Sequence, residues 1–147
     1  MQRLSLRSVE ECYRGRSVRV FRLDREGTLA RLRDRAHRLL QQRSDVLEVR
    51  LFGSLARGVA RPGSDADLFI VVRDGAAPFL DRSAALAPYF TGVGIGCDLI
   101  AYTESECRML AERHDAFACA VLDESIPLAQ RDVLSEGKAT LTAPPRT

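Results

Sequence analysis

The stretch LFGSLARGVARPGSDADLFIVV, residues 51–72, decides the fold because it contains a turn and a loop between two strand patterns. The run Val46–Phe52 alternates apolar and polar side chains from Leu47 to Leu51, as a half-buried strand does. The later run LFIVV, residues 68–72, is apolar throughout, which is typical of a strand covered on both faces. The sequence therefore predicts a strand, a turn, a short helix, a loop and a second strand.

The Gly53–Ser54 pair follows the first strand directly. Glycine adopts backbone angles that other residues avoid, so this turn can present N–H groups and one hydroxyl to an anion. The residues Ser54–Arg57 predict a short helix, whose first N–H groups favour a phosphate at the same place. Gly53 and Ser54 are therefore the candidate phosphate-binding residues.

Asp65 and Asp67 open the second strand. Side chains two apart in a strand leave the same face, with Cα atoms about 6.5 Å apart. Two such carboxylates repel each other unless a cation lies between them, and hard Mg²⁺ with phosphate oxygens suits them. The alternative is an ordinary turn followed by a strand cap, since an Asp-x-Asp pair alone is weak evidence.

Asp98 is the candidate for a third carboxylate, because it interrupts a strand-like run at Gly96–Tyr102. A lone acid among apolar residues is costly unless a charged group meets it. Phosphoryl transfer with two metals commonly uses a further carboxylate that helps to deprotonate the attacking hydroxyl. Taken alone, Asp98 could instead cap the strand or pair with an arginine.

Together these residues resemble the minimal nucleotidyltransferases of the DNA polymerase β superfamily, and the resemblance covers about residues 23–131. The matching segments are Gly53-Ser54, Ala56-Arg57-Gly58, Ser64-Asp65, Asp67-Leu68 and Cys97-Asp98-Leu99. The resemblance implies an α/β (α+β) nucleotidyltransferase fold, in which helices flank a mixed, mostly antiparallel sheet.

The same resemblance implies roles for the candidate residues. Gly53 and Ser54 would hold a nucleoside triphosphate such as ATP, Asp65 and Asp67 would bind two Mg²⁺ ions, and Asp98 would complete the metal-binding and catalytic triad. The implied reaction is in-line attack of an acceptor hydroxyl on the α-phosphate, with release of pyrophosphate.

The motif does not identify the molecule that accepts the nucleotide. Only one helix, one short strand and a tail are expected after Asp98, so the acceptor surface is expected from a second subunit or from a substrate protein. In size and motif the chain resembles antitoxins that transfer AMP to a tyrosine of a partner HEPN toxin.

Two alternatives stay open at this stage. A small cationic acceptor such as an aminoglycoside could bind across a homodimer, or an antitoxin could cover its partner without turnover. Replacing Asp65 and Asp67 by Asn separates the catalytic hypotheses from the steric one.

Composition limits the classes of protein that the chain can be. With 147 residues, 46% of them hydrophobic, it can form one ordinary core. No apolar run approaches the roughly 20 residues that cross a bilayer, and residues 1–20 lack the centre of a signal peptide. A soluble, cytoplasmic protein is expected. The four cysteines lack paired metal-ligand spacing, and Cys97 is expected to face the core, away from Asp98.

The charges are unevenly distributed along the chain. Residues 1–61 carry 15 Arg against 7 acids, whereas residues 62–147 carry 7 Lys or Arg against 13 acids. The basic half could attract a triphosphate, nucleic acid or an acidic protein partner. Direct nucleic-acid binding is not expected, because few aromatic residues stand among these arginines.

Three regions are expected along the chain: an N-terminal extension with an edge strand (1–23), the nucleotidyltransferase domain (24–131) and a disordered tail (132–147). The extension ends in the strand pattern Ser17–Leu23, which could extend the sheet or exchange with another subunit. Further patterns predict helices at Asp24–Arg43, 79–90 and Glu104–Ala120, and a last strand within Val121–Leu128.

Overall fold

A computed structural model describes residues 9–14 and 18–132, with side chains from Leu23 onward. The strands are β1 (Val9–Arg14), β2 (Val18–Leu23), β3 (Val46–Phe52), β4 (Ala66–Val72), β5 (Cys97–Thr103) and β6 (Ile126–Gln130). The helices are α1 (Arg25–Gln42), α2 (Gly53–Arg57), α3 (Phe79–Leu86), α4 (Glu104–Glu112) and α5 (Ala116–Glu124), with a 3₁₀ turn at Ala87–Phe90.

Four of the strands form one sheet in the order β5-β4-β3-β6. β4 and β5 run parallel, whereas β3 is antiparallel to both β4 and β6. The predicted α/β fold with a mixed, mostly antiparallel sheet and flanking helices is confirmed.

Helix α1 covers one face of this sheet, which we call the packed face. Asp24 caps the helix as predicted, since its carboxylate accepts a hydrogen bond from the Gly27 N–H at 3.0 Å. The apolar side of α1 is buried against Val49 and Leu51 of β3 and alternate residues of β4. The packed face therefore holds the main core, in which Leu32, Leu39, Leu68 and Ile70 are fully buried.

The opposite face, which we call the site face, carries a second and smaller core. Its buried members are Leu47, Phe69, Val71, Cys107 and Val121. Helices α4 and α5 supply the last two of these residues. Because successive side chains of a strand leave opposite faces, Asp67 shares this face with Phe69 of β4.

The prediction for β3 was wrong in one respect. Leu47 lies in the second core, whereas Val49 and Leu51 lie in the main core. The pairing register of β3 shifts between Val46 and Glu48, and again between Val49 and Arg50, and such bulges change the face that a side chain takes. β3 is therefore covered on both faces and is not half-buried.

The single helix predicted at Glu104–Ala120 is two helices. The predicted capping box of α4, formed by Thr103 and Glu106, is present. His114 then takes a left-handed conformation, with φ of 50°, and Asp115 caps a new helix by accepting from the Ala118 N–H at 3.1 Å. Helix α5 consequently includes residues 121–124, and the last strand begins only at Ile126.

β1 and β2 form a separate two-stranded antiparallel sheet. The predicted strand at Ser17–Leu23 is thus found as β2, paired with β1 and not with the four-stranded sheet. The tail predicted at 132–147 lies outside the described residues except for Asp132. Within residues 9–14 and 18–132, no helix has the length and apolar character that crossing a membrane requires.

Several arginines of this basic chain donate to backbone carbonyls. Arg131 reaches three of them, at Leu40, Arg43 and Val46, and so ties the segment after β6 to α1 and β3. Arg82, only 9% exposed, donates to the Ala101 carbonyl at 3.2 Å on β5. Part of the positive charge therefore holds the fold together.

Candidate active site

The register of two parallel strands places the candidate acids side by side. Asp67 of β4 pairs directly with Asp98 of β5, and neighbouring strands lie about 4.8 Å apart. Asp65 precedes Asp67 by two positions and lies where the chain enters β4. The structure thus places the three predicted acids at one end of the site face.

Like charges dominate the electrostatics of this cluster. Burial raises the pKa of the Asp67 carboxyl, and the neighbouring Asp98 and Asp65 carboxylates raise it further. In the described part of the chain, no Lys, Arg or His forms an ion pair with any of the three acids. Asp65 and Asp98 are exposed, so the cluster is open to an incoming cation or substrate.

Two glycines leave room for these carboxylates. Gly53 has φ of +76°, and a Cβ at this position would overlap the Asp67 carboxylate. A Cβ at Gly96 would likewise overlap the Asp65 carboxylate. Any side chain at either position would therefore push an acid out of its place.

Helix α2 is held at its far end by contacts that the sequence did not predict. Arg25 of α1 donates to the carbonyls of Leu55 and Ala56, at 3.0 and 3.1 Å. Gly58 then ends the helix in a left-handed conformation, with φ of 77°. These contacts fix the turn that carries Ser54, whose hydroxyl has no partner among the described residues.

Arg57 is a site candidate to which sequence reasoning gave no role. It follows Ser54 by three positions on α2, so the two side chains lie on the same side of the helix. Its guanidinium is exposed, and its ion pair with Glu124 is long at 4.0 Å. The signal was present in the sequence, since an arginine one helical turn after the predicted phosphate-binding Ser54 can itself contact phosphate.

Cys97 stands between Gly96 and Asp98 in the sequence, and its side chain packs against the main core. Burial, with the charges of Asp65 and Asp98, raises the pKa of its thiol to about 12. A thiol with this pKa stays protonated at neutral pH, and only the thiolate binds metals well. Cys97 is thus half-buried core, close to its predicted role.

The donor set at this end of the sheet fits a hard divalent cation. These three carboxylates have no ion-pair partner among the described residues, and two glycines leave them space. They are oxygen ligands of the kind that Mg²⁺ takes. As the side chains stand, no three His, Cys, Asp or Glu residues within 23–132 surround a single metal position. Carboxylates that repel one another are expected to spread until a cation draws them together.

Comparisons with known proteins agree with this geometry. Residues 32–123 match the family model for the nucleotidyltransferase domain. A comparison with curated protein sequences gives no significant match.

Two solved structures share the fold. A "putative nucleotidyltransferase" from Sulfolobus solfataricus is 19% identical, with a TM-score of 0.54 over 80% of this chain and 90% of that chain. A toxin–antitoxin structure with AMP-PNP is 18% identical, with a TM-score of 0.51 over 71% of this chain and 77% of that chain. The family model covers more than half of the sequence and includes all three acids and the Gly53–Ser54 turn. The chain therefore belongs to the nucleotidyltransferase domain family.

Proposed function

We propose that this protein is a Mg²⁺-dependent nucleotidyltransferase that moves AMP from ATP to a hydroxyl of a protein, as the antitoxin of a HEPN-type toxin. One observation carries the proposal. Asp65, Asp67 and Asp98 form a cluster of negative charge that has no ion-pair partner among the described residues, and Asp67 lies against the Gly53 backbone at the start of α2.

Each residue has a role in the proposed reaction. Gly53 and Ser54 would bind the triphosphate, and the three aspartates would hold two Mg²⁺ ions. Bound Mg²⁺ would polarise phosphate oxygens and make a nearby hydroxyl more acidic. Asp98, whose side chain is exposed and so accessible to an acceptor, would accept the proton of the acceptor hydroxyl.

The bond changes balance without a further reactant. The acceptor oxygen forms a bond to the α-phosphorus while the bond from that phosphorus to the bridging oxygen breaks. Pyrophosphate leaves with that oxygen. The Arg57 guanidinium is exposed on the same side of α2 as Ser54, so it can stabilise charge on the leaving phosphates.

Two observations support an acceptor on another molecule. The exposed Asp65 and Asp98 leave the reacting end of the sheet accessible to a macromolecular hydroxyl. The fold is shared with a toxin–antitoxin structure that holds AMP-PNP. The proposed role as an antitoxin rests on the resemblance of the motif to that of antitoxins whose partners are HEPN toxins.

Intact-mass spectrometry tests this proposal. A candidate HEPN toxin is incubated with this protein, Mg²⁺ and each nucleoside triphosphate in turn. The expected result is a mass gain of one or more AMP units on the toxin, which the Asp65→Asn/Asp67→Asn variant abolishes. The matched control is Asp81→Asn/Asp123→Asn, which removes two exposed carboxylates away from the cluster and should leave the mass gain unchanged.

Other outcomes have distinct meanings. Nucleotide transfer to an aminoglycoside, with none to protein, would assign the same chemistry to a small acceptor. Protection by the Asp65→Asn/Asp67→Asn variant without any mass gain would show steric neutralisation and would contradict the enzymatic proposal.

A further inference from the structure

The loop between the 3₁₀ turn and β5, residues 91–96, borders the acid cluster and has an unusual composition. Gly92 and Gly94 have φ of 78° and 88°, which other residues rarely adopt. A loop rich in glycine loses much conformational freedom on folding. Holding the backbone of this loop in one conformation therefore requires contacts from residues outside it.

The end of this loop determines the space around Asp65. The Gly96 carbonyl accepts a hydrogen bond from the Ala66 N–H at 2.7 Å, directly between Asp65 and Asp67 in sequence. Gly96 also lies against the Asp65 carboxylate so closely that a Cβ would overlap it. A shift of the loop would therefore move the backbone that carries Asp65 and the surface that confines its side chain.

Arg31 of α1 supplies the anchor at the middle of the loop. Its Nε donates to the Val93 carbonyl at 2.8 Å, across 62 positions of sequence. Val93 is only 1% exposed and packs in the main core, so the anchored point is fixed by both contacts.

The Arg31 side chain is also held by a contact to Thr28 in the first turn of α1. Its second guanidinium nitrogen lies 3.4 Å from the Thr28 hydroxyl, which donates to the Asp24 carbonyl at 2.6 Å. Thr28 is fully buried. The cap of α1 is thus connected through Arg31 to the glycine loop.

We propose that Arg31 is a positioning residue for the reaction, which holds the Gly92–Gly96 loop so that Asp65 stays in place to bind a divalent cation. The inference rests on the proposed function. Arg31 is on the packed side of the sheet and acts through the loop, without contact to nucleotide or metal.

The test compares four variants of the full chain: Arg31→Ala, Arg31→Lys, Gly96→Ala and Arg33→Ala. Arg33 is exposed on the same helix, so its replacement removes the same charge without the loop contact. Mn²⁺ serves as the metal probe, and its binding is followed by electron paramagnetic resonance. Metal binding is measured separately from the turnover of ATP, and melting by circular dichroism monitors folding.

Loss of a group that supports a metal ligand costs about tenfold to a hundredfold in metal affinity. Arg31→Ala and Gly96→Ala should weaken Mn²⁺ binding by about tenfold and lower kcat, with little change in the KM for ATP. Arg31→Lys, which can still donate one hydrogen bond, should recover most of the affinity. Arg33→Ala should match the unmodified protein.

Equal Mn²⁺ affinity for Arg31→Ala and Arg33→Ala would overturn the proposal. If Arg31→Ala fails to fold, the Gly96→Ala variant still tests the proposal. Normal Mn²⁺ binding by Gly96→Ala would overturn the proposal, because it would show that the loop does not hold Asp65 in place. If the unmodified protein binds Mn²⁺ but transfers no nucleotide, the proposed function fails while the positioning effect is still measured. If all variants transfer and bind Mn²⁺ alike, the function stands and the positioning role fails.

Discussion

The two faces of the four-stranded sheet differ in the side chains that they carry, although the same strands form both faces. The packed face consists of aliphatic side chains buried under α1. The site face carries three aspartates at one end, an aromatic group around Phe69 in the middle and a buried ion pair between Glu48 and Arg50. Among the strand residues named here, the charged ones therefore lie on the site face.

The comparison separates stability from chemistry. Burial of apolar surface stabilises the packed face without directional requirements. On the site face, burial raises the pKa of Asp67 and the neighbouring carboxylates raise it further, so ionised Asp67 costs stability. Functional sites commonly carry such a cost, because charge that a ligand needs is not neutralised by the protein itself.

Replacing an acid of the site face should cost function and spare the fold. Asp98→Asn is expected to lower nucleotide transfer by about a thousandfold, because metal-mediated charge stabilisation is worth several kcal/mol. The free energy of unfolding should stay equal or rise. Single-turnover assays and urea unfolding measure the two quantities, with Asp123→Asn as the control. If Asp98→Asn lost enough stability to account for its lost activity, the site face would not differ from the packed face in sparing the fold.

The buried ion pair tests whether the site face also contributes to stability. Arg50 donates to Glu48 at 2.6 Å and to the Ser125 hydroxyl at 2.7 Å, and one Glu48 carboxylate oxygen has no hydrogen-bond partner among the described residues. Arg50→Ala leaves the buried Glu48 charge uncompensated and should destabilise the fold by about 3–5 kcal/mol. The double variant Glu48→Leu/Arg50→Met should lose far less, and equal losses in urea unfolding would contradict this account.

The packed face should show the opposite behaviour to Asp98. Leu32→Ala removes a fully buried side chain of α1 and should lower the free energy of unfolding by about 3 kcal/mol. Transfer activity per folded molecule should be retained. Leu80→Ala, at an 80% exposed position, is the control and should change neither quantity.

The smallest expected effect concerns the pH dependence of stability without metal. A carboxyl whose pKa rises on folding stabilises the fold at low pH, and this contribution disappears as the pH rises through the folded-state pKa. In EDTA, Asp67→Asn should therefore raise the melting temperature by a few degrees at neutral pH. The gain should vanish below the ordinary pKa of aspartate, and a gain that persists in acid would contradict this account.

Local patterns predicted the parts of the molecule whose cause is local. The Asp24 cap, the capping box of Thr103 and Glu106 and the short helix after Gly53 depend on residues a few positions apart, so spacing alone indicates them. The break at His114 was missed because helical periodicity continues through it, although Asp115 carries a capping signal.

The sequence by itself determined the chemistry available to this protein: a glycine turn with a serine, an Asp-x-Asp pair, and a third aspartate in a strand. Only the tertiary structure decided that Asp98 lies opposite Asp67, because the register of parallel strands depends on packing along their whole length. It also decided which arginines hold backbone carbonyls, as Arg31 holds Val93. Contacts across such separations depend on the folded positions of α1 and the loop, and no local pattern of residues encodes them.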